Sequence, residues 1–132
     1  MIMPQPQILI AETQYFIALD VEHLLDAAIS CDIQIVPLNA LAEALEKQRF
    51  DIAIIEAEAR TTVNIERAAM IEAKGATVIF LSSYAVNEPD PVHVGSRLQV
   101  QKPLIHNELL GVVRQVLKQL PGSDSEGLLD NS

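Results

Sequence analysis

Five short apolar runs limit what this chain can fold into. They lie at Gln7 to Ala11, Asp32 to Pro37, Asp51 to Ile55, Thr77 to Leu81 and Arg97 to Gln101, and most are rich in Ile and Val. A strand with one wet face alternates apolar and polar residues, whereas a continuous apolar strand is buried on both faces, as in a parallel sheet covered by helices. The first, third and fourth runs fit this pattern best. All five are far shorter than the roughly 18 apolar residues needed to cross a bilayer, so the reading is of a soluble protein.

The segments between the runs have helical spacing. Ile17, Val21, Leu24, Leu25 and Ala28 form one core-facing stripe, and Leu109, Val112, Val113, Val116, Leu117 and Leu120 form another. Asn107 is placed to cap the start of the last helix and Pro121-Gly122 to end it. Asn39 is expected to cap a helix over Ala40 to Gln48, and Lys74-Gly75 to stop one that begins near Thr62. Strand and helix therefore alternate in a (βα)5 pattern. The exception is Ala85 to Gly95, where Asn87, Pro89, Pro91 and Gly95 predict a loop or one short turn, because proline inside a helix costs about 3 kcal/mol. A fourth helix is thus expected to be short or missing.

With 132 residues, 49% of them hydrophobic, the chain has material for one domain with a real core. That domain is read as residues 1–120, followed by a small, polar, acidic and disordered tail over 121–132. Lys+Arg 9 against Asp+Glu 18 leaves a net charge of -9, which repels nucleic acid and anionic lipid. The first residues lack both a basic cluster and an apolar stretch of signal-peptide length, so a cytoplasmic location is expected. The lone Cys31 is read as a packed thiol rather than a nucleophile. His23, His93 and His106 have no metal-ligand spacing and are assigned surface or capping roles.

In a doubly wound sheet, ligands bind outside the carboxyl ends of the strands, where the loops diverge. Here those ends carry Glu12 and Thr13, then Glu56, then Ser82 and Ser83, then Lys102 and Pro103. Two carboxylates, hydroxyls and one ammonium thus converge on one rim. Tyr15, Phe16 and Tyr84 border it and are read first as packing residues, with shaping of a partner surface as the alternative. Neither a Gly-rich phosphate loop nor a Gly-x-Ser-x-Gly elbow is present, which argues against nucleotide-binding and hydrolase classes.

Ile8-Leu9-Ile10-Ala11-Glu12, Asp51 to Glu56, Val78 to Tyr84 and Lys102-Pro103-Leu104, in this order and spacing, resemble the receiver domains of bacterial response regulators. The resemblance spans about Gln7 to Leu120. It implies a flavodoxin-like sheet of strand order 2-1-3-4-5 and a place in two-component phosphorelay signalling. In such receivers an acidic pair after strand one binds Mg²⁺, and an aspartate after strand three accepts the phosphoryl group. A Ser/Thr after strand four senses that group and a lysine after strand five contacts it. The resemblance assigns Glu12 to the acidic pair, Ser82 to the hydroxyl and Lys102 to the lysine, and implies a cis peptide before Pro103. Thr13 stands where the second acid belongs and Glu56 where the acceptor belongs.

Both departures bear on the chemistry. Mg²⁺ is held by carboxylate charge at about 2.0 to 2.1 Å, and Thr13 removes one charge, so Glu12 and Glu56 alone make a weak metal site at best. Without a cation, little neutralises an incoming phosphoryl group. Glu56 is also one methylene longer than aspartate, which carries its carboxylate about 1.5 Å further into the space the phosphoryl group would fill. Unit charges about 4 Å apart attract by roughly 4 kcal/mol at an effective dielectric near 20, before desolvation is subtracted. Glu56 is therefore read either as a mimic of the phosphorylated state or as a structural partner of Lys102. Gln99 stands where receivers often carry a switching aromatic.

The expectation is a non-enzymatic pseudo-receiver that needs no cofactor and acts by protein contact. Its implied partners are a histidine kinase, a phosphotransfer protein or a regulator, with a homodimer as a further option. A working phosphoacceptor using Glu56, and a small flavodoxin-like enzyme or ligand carrier, are the alternatives.

Overall fold

A continuous apolar strand needs cover on both faces, and the arrangement of the chain supplies it. The computed structural model describes residues 5–82, 98–101 and 106–119. In chain order they form β1 (Gln7–Ala11), α1 (Tyr15–Ala28), β2 (Asp32–Val36), a 3₁₀ turn (Leu38–Ala40), α2 (Leu41–Lys47), β3 (Ile52–Glu56), α3 (Thr61–Ala73), β4 (Thr77–Ser82), β5 (Leu98–Gln101) and α4 (His106–Lys118). The strands make one parallel sheet in the order β2-β1-β3-β4-β5. The strand pattern read from the sequence and the flavodoxin-like order both hold.

Side chains alternate along each strand, so each face of the sheet has its own core. Leu9, Ala11, Ala53, Ile55, Val78 and Phe80 pack beneath α2 and α3, with Leu41, Leu45, Ala68 and Ile71. Ile8, Ile10, Ile52, Ile54, Ile79 and Leu81 pack beneath α1 and α4, with Ala18, Val21, Leu25, Leu109 and Val113. β1, β3 and β4 are buried almost throughout, whereas β2 at the sheet edge alternates exposed and half-buried residues before Val36. Fully burying one such aliphatic side chain contributes about 1.5–3 kcal/mol.

Several boundaries differ from expectation. Ile17, Val21, Leu24 and Leu25 of α1 pack toward the sheet as expected, joined by the small Ala18, whereas Ala28 is exposed. Asn39 lies inside the 3₁₀ turn and makes no cap; the helix begins at Leu41, because residues 38–40 close tighter i+3 bonds first. α4 starts at His106, so Asn107 falls in its first turn rather than ahead of it. The stop at Lys74-Gly75 is as expected: α3 ends at Ala73, and Gly75 takes a φ of 92°, a conformation costly for any residue with a Cβ. The proline-rich stretch Ala85 to Gly95, with the fourth helix it would hold, lies outside the described residues, as does the boundary between domain and tail at 120/121.

Candidate functional site

Parallel pairing brings the carboxyl ends of the strands together at one rim. Ala11 pairs with Ile55, which places Glu12 level with Glu56; Glu56 pairs with Leu81, next to which Ser82 ends β4. The ladder continues past Glu56 through a bond from the Ala57 amide to the Leu81 carbonyl of 2.8 Å, so the backbone around Glu56 is pinned. Glu12, Thr13, Glu56 and Ser82 therefore meet at the ends of three adjacent strands. Glu12 is 3% exposed and Ser82 2%, while Glu56 is half-buried and Thr13 exposed.

Strand alternation directs Glu56 to the same side of the sheet as Ile54, where the head of α1 lies. There its Oε1 accepts two hydrogen bonds from Thr13, one from the backbone N–H at 2.9 Å and one from the hydroxyl at 2.6 Å. The second has the short length of an O–H donor on a charged acceptor. One position on, Glu12 Oε2 accepts the backbone N–H of Gln14 at 3.1 Å. Gln14 makes no side-chain cap on α1, and the first turn contains no acid. The carboxylates of Glu12 and Glu56 supply the negative charge that the N-terminal end of a helix favours.

The loop after β3 is held by a residue that sequence reasoning missed. Asn64 on α3 is 0% exposed; its Oδ1 accepts the Glu58 N–H at 2.8 Å and its Nδ2 donates to the Glu58 carbonyl at 2.8 Å. Arg67 adds an ion pair to Glu58 at 2.9 Å. A signal was present in the sequence: Asn64, Ala68 and Ile71 share the core-facing stripe of α3 at i, i+4 and i+7, and a lone amide in such a stripe must find partners.

Lys102 and Pro103 lie outside the described residues, as do Ser83, Tyr84 and His93, so the Lys102 contact and the cis peptide expected from the sequence fall outside them as well. Gln99 occupies β5 opposite Phe80. His23 is exposed on α1. Tyr15 and Phe16 are 61% and 83% exposed, which corrects their reading as packing residues: Phe16 falls on the outer arc of α1, opposite Ala18, Val21 and Leu25, and Tyr15 on its flank. Cys31 is buried, and burial, then repulsion from Asp26 and Asp32, pushes its thiol up from the ordinary value and keeps it in the unreactive form. A shallow hollow lined by Gln5, Asp26 and Cys31 lies at the far end of α1 from the rim.

No protein-family model matches the chain, and no curated protein does. Solved structures do match in fold. A response regulator receiver protein from Sinorhizobium medicae is 20% identical with a TM-score of 0.72, covering 87% of this chain and 96% of its own. The receiver domain of a sensor histidine kinase from Pseudomonas aeruginosa, solved with magnesium coordinated in its active site cleft, is 18% identical with a TM-score of 0.68, covering 87% and 99%. A putative pilus assembly protein from Burkholderia thailandensis is 18% identical with a TM-score of 0.67, covering 87% and 100%. The chain thus has the fold of response-regulator receiver domains.

The donor set at this rim does not suit the magnesium ion that such a fold implies. Thr13 contributes a neutral hydroxyl, which donates to Glu56, where a second carboxylate would add charge to hold the ion, and Glu56 Oε1 is already engaged by two donors. Among the described residues, no three carboxylate, imidazole or thiolate groups converge.

Proposed function

We propose that this chain is a receiver-like module of signal transduction that works by contact with other proteins and is not phosphorylated on Glu56. The observation that carries this reading is the pair of hydrogen bonds from Thr13 to Glu56 Oε1, at 2.9 and 2.6 Å. Phosphoryl transfer depends on positioning and on neutralising the charge of the transferred group, by a cation or by fixed donors. Here the two donors of Thr13 are spent on the Glu56 side chain itself. Thr13 and Glu56 act as one change: a second acid at position 13 would repel Glu56, whereas threonine binds it.

The fold shared with receiver domains supports the signalling class. In this reading the partners are signalling proteins, and Glu56 holds the closed rim in one state. Incubation of the whole chain with acetyl phosphate and Mg²⁺, followed by intact-mass measurement, should leave the mass unchanged. A phosphoryl adduct mapped to Glu56 would instead establish a working acceptor and overturn the proposal.

A further inference from the structure

A parallel sheet that does not close has two edges, and β2 is one of them; among the described residues no strand lies on its outer side. Two bonds at its ends reveal which backbone groups that side presents. The Asp32 N–H donates to the Pro6 carbonyl at 2.9 Å, and the Val36 carbonyl accepts the Glu12 N–H at 3.4 Å. In a strand the N–H and C=O of one residue point to the same side, and successive residues point to opposite sides. Asp32, Gln34 and Val36 therefore face β1, whereas Ile33 and Ile35 turn both of their backbone groups outward. Edges are commonly kept from pairing by shortness, by a bulge, or by a lysine, proline or inward charge. β2 is short, and Asp32 and Pro37 flank its centre, but the centre itself is Ile-Gln-Ile-Val in unbroken register with β1. Ile33 and Ile35 are only half-buried and Gln34 is exposed.

This edge is complementary to a second copy of itself. Antiparallel pairing about a twofold axis at Gln34 sets Ile33 of each copy opposite Ile35 of the other, and each such pair exchanges both of its N–H···O bonds. An axis at Ile35 would instead set Ile33 opposite Pro37, which has no N–H, and an axis at Ile33 would set Ile35 opposite Cys31, outside the strand. Only the Gln34 axis uses every outward group of the strand. The side chains agree with it. Ile33 and Ile35 lie on the α1 face, where the isoleucines of two copies cover one another, and the two Gln34 amides meet on the opposite face. With a net charge of -9, two copies repel over most of their surfaces, but residues 33–42 carry no charge and Asp32 falls opposite the neutral Val36.

We infer that two copies of this chain pair antiparallel through the outer edges of β2, about a twofold axis at Gln34, so that their sheets become one. The contact is isologous and closes on itself, which limits the assembly to a dimer. This goes beyond the proposed function and does not depend on Glu56.

Sedimentation equilibrium of the whole chain should show a dimer. Gln34→Glu, an exposed change whose folding is checked by thermal melting, sets two carboxylates face to face on the axis and should raise the dimer Kd by about tenfold or more. The register has its own test. Two residues at position 34 form a non-hydrogen-bonded pair with Cα atoms about 4.5 Å apart, inside the range a disulfide spans. In a Cys31→Ala background, Gln34→Cys should therefore link two chains on mild oxidation, whereas Asp32→Cys, opposite Val36, should not. The Ile33 and Ile35 amides should exchange slowly with solvent in the dimer and quickly after dilution to the monomer. A chain that stays monomeric at millimolar concentration would overturn the inference, as would a dimer indifferent to Gln34→Glu or linked equally well at both cysteine positions. Slow exchange at Ile33 and Ile35 that persists in a monomer would overturn it too, by showing that another segment of the same chain covers the edge.

Discussion

The two ends of the sheet are tied in different ways. At the amino ends of the strands, the Gln7 N–H donates to Asp51 Oδ2 at 2.8 Å, the Gln7 amide donates to Asp32 at 2.7 Å, and Gln48 donates to Gln7 at 2.7 Å. Asp32 and Gln48 are exposed, so water competes for every one of their bonds. At the carboxyl ends, Glu12 and Asn64 are buried and accept backbone N–H groups of the helix or loop beside them, while half-buried Glu56 takes both donors of the exposed Thr13 on one oxygen. Losing a partner costs little where water replaces it and much where it does not. The amino end is thus a seam of replaceable contacts. The rim is a set of interlocked ones.

Three substitution experiments bear on this contrast. The largest effect is expected from Asn64→Ala, which strands both the N–H and the carbonyl of Glu58. A loss of about 2–3 kcal/mol in urea unfolding is expected; a loss near zero would mean that the loop after β3 holds itself. Next comes the Thr13–Glu56 pair. Thr13→Val and Glu56→Ala, singly and together, should show a coupling of about 1–2 kcal/mol in a double-mutant cycle. Independent effects would dissolve the view of the two residues as one change. Smallest is the seam at the other end, where the cycle of Gln7→Ala with Asp32→Ala should give a coupling of about 0.5 kcal/mol or less. A value matching that of the Thr13–Glu56 pair would erase the distinction between the two ends.

The residues of the site were largely legible as a list, whereas their bonding was not. Glu12, Glu56 and Ser82 follow directly from where apolar runs stop, and strand order then gathers them. That Thr13 would turn its hydroxyl to Glu56 could not be read, since the two are 43 positions apart and meet only through the β1–β3 register. Asn64 was legible in principle, as an amide in an apolar stripe, but its partner, the backbone of Glu58, is not a sequence feature. The exposure of Tyr15 and Phe16 was misread for a similar reason. The stripe of Ile17, Val21, Leu24 and Leu25 held, and Phe16, on the opposite side of the same helix, was never on it; a packing role for Phe16 needed a neighbouring element that periodicity does not supply.

Pattern along the chain was enough to determine the parallel α/β class, the strand positions within about a residue and the rim at which polar groups gather. These depend on hydrophobic burial, whose periodicity is local and additive. Tertiary structure alone decided what those polar groups do to one another. A hydrogen bond is made or missed over a few tenths of an ångström, and only the assembled sheet sets such distances. Glu56, conspicuous in the sequence as an acid in an unexpected place, thereby became the acceptor of two bonds from Thr13 that tie the end of β3 to the loop after β1.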